Sequence, residues 1–216
     1  IKIEQSNPLR KRFSRILNLS NFHFTRQVFS EDFLNSLRKT GAVSEPLRKL
    51  DTNLVPITRI TAKFLKSTME KTGLFTESAV KKAQLQNELN LKTLLAELRG
   101  VLKGSGRDVA ILNGAIDELE AYQLESLAGT LSRQPTLSWI VPLLNIPPVH
   151  VRISGEPERD TKNDSGGQTW FVELNVQLGD KECTFAICLK ETRLDLSCWA
   201  PDLQIYENLK NHEKDL

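Results

Sequence analysis

Three cysteines, Cys183, Cys188 and Cys198, are the side chains of this chain best suited to covalent chemistry. A reactive thiol needs a neighbouring base or a helix N-terminus to hold it as thiolate. Cys183-Thr-Phe-Ala-Ile-Cys-Leu189 reads as a strand, and only Cys198 lies close to a predicted helix start. The three therefore read as small buried hydrophobes. An odd number of thiols in strands predicts reduced cysteines in a cytosolic protein, not a disulfide framework. His23, His150 and His212 are dispersed, and none has a second His or Cys at metal-ligand spacing. Glu156-Pro-Glu-Arg-Asp160 with Asp164 lacks the alternating ligands of a calcium loop and reads as a solvated loop. Gly104-Ser-Gly106 and Gly166-Gly167 belong to no phosphate-binding pattern. Neither a nucleophile elbow nor a zinc-protease helix occurs. The expectation is a non-enzymatic chain with no catalytic residue, no cofactor and no metal.

Charge narrows the partners. Lys and Arg number 29 against 27 Asp and Glu, a net charge of +2 that argues against a general nucleic-acid surface. The balance is uneven, with ten basic and four acidic residues in the first fifty. Arg10-Lys-Arg-Phe-Ser-Arg15 could meet an anionic partner, but it reads first as a solvated arm. No apolar run is long enough to span a membrane, and no charged-then-apolar leader opens the sequence.

With 39% hydrophobic and 26% charged residues the chain reads as globular. Residues 1–44 form a basic and aromatic segment in which Ser30-Glu-Asp-Phe-Leu-Asn-Ser-Leu-Arg38 is a short capped helix ended by Gly41. Residues 45–134 read as a helical domain. Ile57, Ile60, Phe64, Leu65 and Thr68 give one stripe after Pro56. A longer helix is expected from Glu77 to Leu102. A third runs from Asp108 to Ser132 through Val109, Leu112, Ile116, Leu119, Leu124, Leu127 and Leu131. Such stripes predict an antiparallel bundle. Gln134-Pro135 is the linker.

Beyond it the apolar period changes to two, so residues 137–216 are expected to form a small α+β domain. Trp139-Ile-Val-Pro-Leu-Leu144 and Val149-His-Val-Arg-Ile153 are expected as edge or bent strands, because Pro142 and Pro147-Pro148 cannot sit in a central ladder. Trp170 to Leu178 is the next strand, with Gly179-Asp180 as its tight turn. Phe185, Ile187 and Leu189 then alternate on one face of a strand, as do Leu194, Leu196 and Cys198 after the charged turn Lys190-Glu-Thr-Arg193. Asp202 is placed to cap a final helix carrying Leu203, Tyr206 and Leu209. The predicted fold class is α+β: a helical bundle-like region followed by antiparallel strands and one helix.

The order of these elements carries a resemblance. Leu194-Asp-Leu-Ser-Cys-Trp-Ala-Pro-Asp-Leu203, preceded by Leu178-Gly179 and alternating strand residues, resembles the C-terminal domain of flagellar hook-length control proteins. That domain is shared in outline with the needle-length regulators of type III secretion. Met69-Glu-Lys-Thr-Gly-Leu-Phe-Thr-Glu-Ser78 and Asn90-Leu-Lys-Thr-Leu-Leu95 are similar to steps upstream of it, so the resemblance covers roughly residues 45 to 216. Two features depart from the family. No low-complexity ruler region is present, and the final helix stops short of the family's Leu-x-x-x-Gly-Leu ending. The sequence is therefore expected to be a fragment, beginning at Ile1 and truncated in its last helix.

The resemblance implies a regulator that controls hook length and switches export from hook-type to filament-type subunits. It would do so by docking on the cytoplasmic domain of the export-gate switch protein. Cys183, Phe185 and Ile187 match the family strand that carries the switching determinants; Trp199 and Tyr206 complete the expected partner-binding set. Hook or hook-cap subunits are further partners of the helical region, if it does more than space the C-terminal domain. The expected location is cytoplasmic, with export through the flagellar apparatus, without nucleic-acid binding or membrane insertion. The competing reading is a helical adaptor or scaffold whose basic N-terminal arm binds an acidic partner.

Overall fold

The computed structural model describes residues 2–4, 23–71, 90–131, 135–155, 169–179 and 181–212. The fold is α+β, with helices mostly in the first part of the chain and strands in the last. The elements are β1 (Lys2–Glu4), α1 (His23–Val28), α2 (Glu31–Arg38), α3 (Ser44–Asp51), α4 (Ala62–Lys71), α5 (Leu91–Gly104) and α6 (Ala110–Leu131). They continue with β2 (Thr136–Leu143), β3 (Ile146–Gly155), β4 (Thr169–Leu178), β5 (Lys181–Lys190), β6 (Arg193–Trp199) and α7 (Leu203–Asn211).

Two compact units result, and they do not follow a single cut in the chain. One comprises Phe22–Leu124 with Trp139–Pro148; the other comprises Ile1–Asn21, Glu125–Ser138 and Val149–Leu216.

In the helical unit the caps set the starts. The Ser30 hydroxyl accepts from the Phe33 amide at 3.3 Å and opens α2. Asn90 accepts from the Thr93 amide at 2.8 Å and opens α5. That cap corrects the expected Glu77–Leu102 helix: Asn90 has extended backbone, so a helix begins at Leu91. Val80 and Ala83 lie outside the described residues. α5 ends where Gly106, at φ +71°, lets the Arg107 amide reach Leu102 O and its own amide reach Lys103 O. This is a left-handed cap that glycine adopts at little steric cost.

Leu91, Leu95, Leu98 and Leu102 then meet Leu112, Ala115, Ile116, Leu119 and Tyr122 of α6 in one core with Leu34, Leu37, Leu47 and Leu50. Each fully buried leucine contributes roughly 1.5–3 kcal/mol. The stripe expected after Pro56 divides: Ile57–Arg59 is a 3₁₀ turn with Ile57 exposed, and α4 begins only at Ala62.

α6 departs from expectation in its last two turns. Leu124, Leu127 and Leu131, expected in the buried stripe, are 65%, 55% and 77% exposed. From Leu112 through Tyr122 the inward positions continue at helical spacing to Ser126 and Gly129, not to those leucines. The helix carries two apolar faces, and only the first is buried.

The sheet order is β1-β6-β5-β4-β3-β2. β3 to β6 are antiparallel neighbours, and β1 joins β6 in parallel. The turns are tight: Asn145 (φ 60°), Gly179 (φ +65°) and Glu191 (φ 53°) supply the left-handed backbone that two-residue hairpin loops require. Pro142 lies on the edge strand β2, as proline chemistry demands. β3, expected at an edge, is interior; it accommodates Pro147-Pro148 because its ladder with β4 starts only at His150.

Candidate functional site

The sheet has two chemically distinct faces, fixed by register. On one, Cys183 lies opposite Val176, Phe185 lies between Leu174 and Cys198, and Ile187 lies between Val172 and Leu196. Leu189 completes the row, between Trp170 and Leu194. Cys183, Phe185 and Ile187 thus share one face, as period-two spacing requires.

Burial along that face is graded. Cys183 and Cys198 are fully buried at the base; Phe185, Ile187 and Leu196 are half-buried; Leu189 and Leu194 at the tip are 40% and 62% exposed. Trp199 is opposite Thr184, so its side chain belongs to the other face, where it is only 6% exposed. Tyr206 is not on the sheet; it is half-buried on α7. Of the five expected partner-binding residues, Phe185 and Ile187 keep surface on the apolar face. Cys183 and Trp199 have almost none to offer in this conformation.

The thiols are chemically quiet. Burial pushes Cys183 up to about 11, helped by the nearby charges of Asp202 and Glu182. Burial pushes Cys198 up to about 12, with Cys183 adding to it. Both are thiols at neutral pH, and a thiol is a poor nucleophile. Among the described residues no group of three or more His, Cys, Asp and Glu is arranged to hold a metal ion.

Asp202 forms the base of α7. Its carboxylate accepts from the Ile205 amide at 2.8 Å and pairs with Lys181. The amide of Ile205 first, and then Lys181, hold that carboxyl below its usual range.

The opposite face carries a chain of buried polar groups that the sequence did not announce. Ser138 Oγ meets His150 Nε2 at 2.7 Å, and the Ser138 amide donates to Ser126 Oγ of α6 at 3.2 Å. Asn175 gives its carbonyl oxygen to the Thr184 hydroxyl at 2.9 Å. Its amide nitrogen therefore faces Glu173 Oε1 at 3.1 Å and His150 Nδ1 at 3.3 Å. An amide nitrogen only donates, so Nδ1 accepts and the ring hydrogen sits on Nε2, directed at Ser138. In that tautomer the imidazole has no lone pair with which to take the Ser138 proton. The serine–histidine–asparagine row is thus assembled for cohesion and not as a nucleophile with its base. Beside it Arg152 pairs with Glu125 of α6 at 2.9 Å, both largely buried.

Sequence reasoning finds His150 as an ordinary structural histidine but not its partners. Ser138, Asn175 and Thr184 fall on alternate polar positions, which in a sheet ordinarily face water. The basic run Arg10–Arg15 and the acidic loop Glu156–Asp164 lie outside the described residues. Among the described residues no helix is long and apolar enough to cross a membrane. Comparison with known proteins returned no matching family model, no matching curated protein and no matching solved structure.

Proposed function

We propose that this chain is a non-enzymatic, protein-binding regulator of the flagellar hook-length-control type. In this reading its C-terminal sheet docks on the cytoplasmic domain of the export-gate switch protein and biases export toward filament-type subunits. The observation that carries the reading is the apolar face of the β5–β6 hairpin, where the row matching the family's switching strand is left half-covered toward Leu189 and Leu194. Large exposed apolar residues in register on one sheet face are the usual mark of a partner surface. A docking domain can shift its partner between two states only by binding them unequally, which a rigid face held by a capped helix can do. The protein works in the cytoplasm in this scheme and leaves by the flagellar apparatus.

The test is calorimetric titration of the full chain with the switch protein's cytoplasmic domain, together with hook measurements in cells. A saturable complex is expected, weakened about tenfold or more by Ile187→Asp, equivalent to about 1.4 kcal/mol. Cells carrying that variant should make over-long hooks. Normal hooks and filaments in a strain whose Ile187→Asp protein is folded and abundant would overturn the reading.

A further inference from the structure

β6 is seven residues long, yet β1 covers only its end. Lys2, Ile3 and Glu4 pair with Ser197, Cys198 and Trp199. Along Arg193–Leu196 no described strand occupies the outer edge of β6, while the inner edge is fully engaged with β5. Arg193, Leu194 and Asp195 are exposed there and Leu196 is half-buried. An open strand edge presents alternating amide donors and carbonyl acceptors to whatever can pair with them. β1 shows that this same edge accepts a parallel partner.

We propose that the outer edge of β6 at Arg193–Leu196 is a strand-addition site for an extended, period-two segment of a partner protein. The inference rests on the reading of this sheet as the partner-binding module and specifies how that module holds its partner. The chemistry of the occupant follows from the two faces. On one side the added strand lies beside Leu194 and Leu196, in line with Ile187 and Leu189, and takes apolar residues there. On the other it lies beside Arg193 and Asp195, which pair with each other at 3.0 Å, and takes polar or charged residues. β1 blocks extension past Ser197, so the added strand pairs over about four residues. Main-chain bonds then supply the register, and the apolar tip supplies contact area. The exposed leucines of α6 offer no comparable template, because a helix has no unpaired ladder.

Residue-resolved amide exchange by nuclear magnetic resonance, on the full chain with and without the switch protein's cytoplasmic domain, tests this. In an antiparallel hairpin every second amide of β6 already points to β5. Strand addition therefore slows exchange about tenfold or more only at the alternate, outward amides of Arg193–Leu196. Leu194→Asp should weaken binding about tenfold, while Leu131→Asp on α6 leaves it unchanged. A complex that forms without protection on β6, or with equal affinity for wild type and Leu194→Asp, overturns the strand-addition site and leaves the functional reading standing. No complex at all overturns both.

Discussion

At the scale of single residues, the cysteines make the clearest prediction. A thiol whose folded-state pKa is raised keeps its proton when the unfolded chain has lost its own. The native state then binds more protons than the unfolded state, and stability falls as pH rises above the ordinary thiol value of 9.0 toward about 11 for Cys183 and about 12 for Cys198. Near pH ~10.5 the loss is on the order of 2 kcal/mol for each thiol. Urea midpoints from pH 8 upward should decline, and Cys198→Val should flatten the decline. A pH-independent midpoint in the wild type would refute the assignment. The buried polar row predicts a second effect. Asn175→Leu leaves the Thr184 hydroxyl and His150 Nδ1 without their amide, costing roughly 1–3 kcal/mol. Adding Thr184→Val should recover part of that loss, since an apolar pair leaves fewer unmet groups. Period-two spacing alone makes the apolar row Phe185–Ile187–Leu189 legible in the sequence. It cannot reveal Ser138, Asn175 and Thr184, because alternation marks two faces of a strand without saying which is covered.

At the scale of elements, α1 depends on two positions of α6. Glu118 receives the amides of Phe24 and Thr25 at 2.9 and 2.8 Å, satisfying donors that the first turn of α1 leaves unpaired. One turn earlier the Phe24 ring occupies the place a Cβ at Gly114 would take. The sign of Gly114→Ala is therefore informative. On a free helix face alanine stabilises by about 1 kcal/mol over glycine. Here it should destabilise, and in a Phe24→Ala background it should return to stabilising. Thermal melts of the two single variants and the double variant decide this; a stabilising Gly114→Ala alone would show the ring does not sit there. Caps are the most legible elements, since Ser30 and Asp202 do what their positions imply. Asn90 is harder to recognise as a cap, because the leucine spacing of α5 continues an apolar pattern that already runs from Val80. Long-range devices such as Glu118 on the amides of Phe24 and Thr25 leave no local signature, so no reading of spacing can supply them.

At the scale of the whole molecule, the change of apolar period near Pro135 correctly separates helices from strands, but compactness follows a different line. Arg152 and Ser138 find Glu125 and Ser126 on α6, so the last turns of that helix belong with the sheet. A fragment starting at Pro135 discards both partners, and an unpaired buried guanidinium costs on the order of 3 kcal/mol or more. A fragment starting near residue 120 should therefore resist urea measurably better than one starting at 135; equal midpoints would show that α6 adds nothing to the sheet. The placement of β1 has a further consequence, for the order in which the protein is made. Ile3 pairs with Cys198, so nearly the entire chain separates the two halves of that ladder. The strands β2 to β6 form a meander of neighbours and can zip as each leaves the ribosome. β1 emerges first yet has nothing to bind until Trp199 is synthesised, and closing so long a loop for three residues gains little. Its docking is the last event of folding, and a nascent chain spends most of its synthesis with the whole outer edge of β6 still to come.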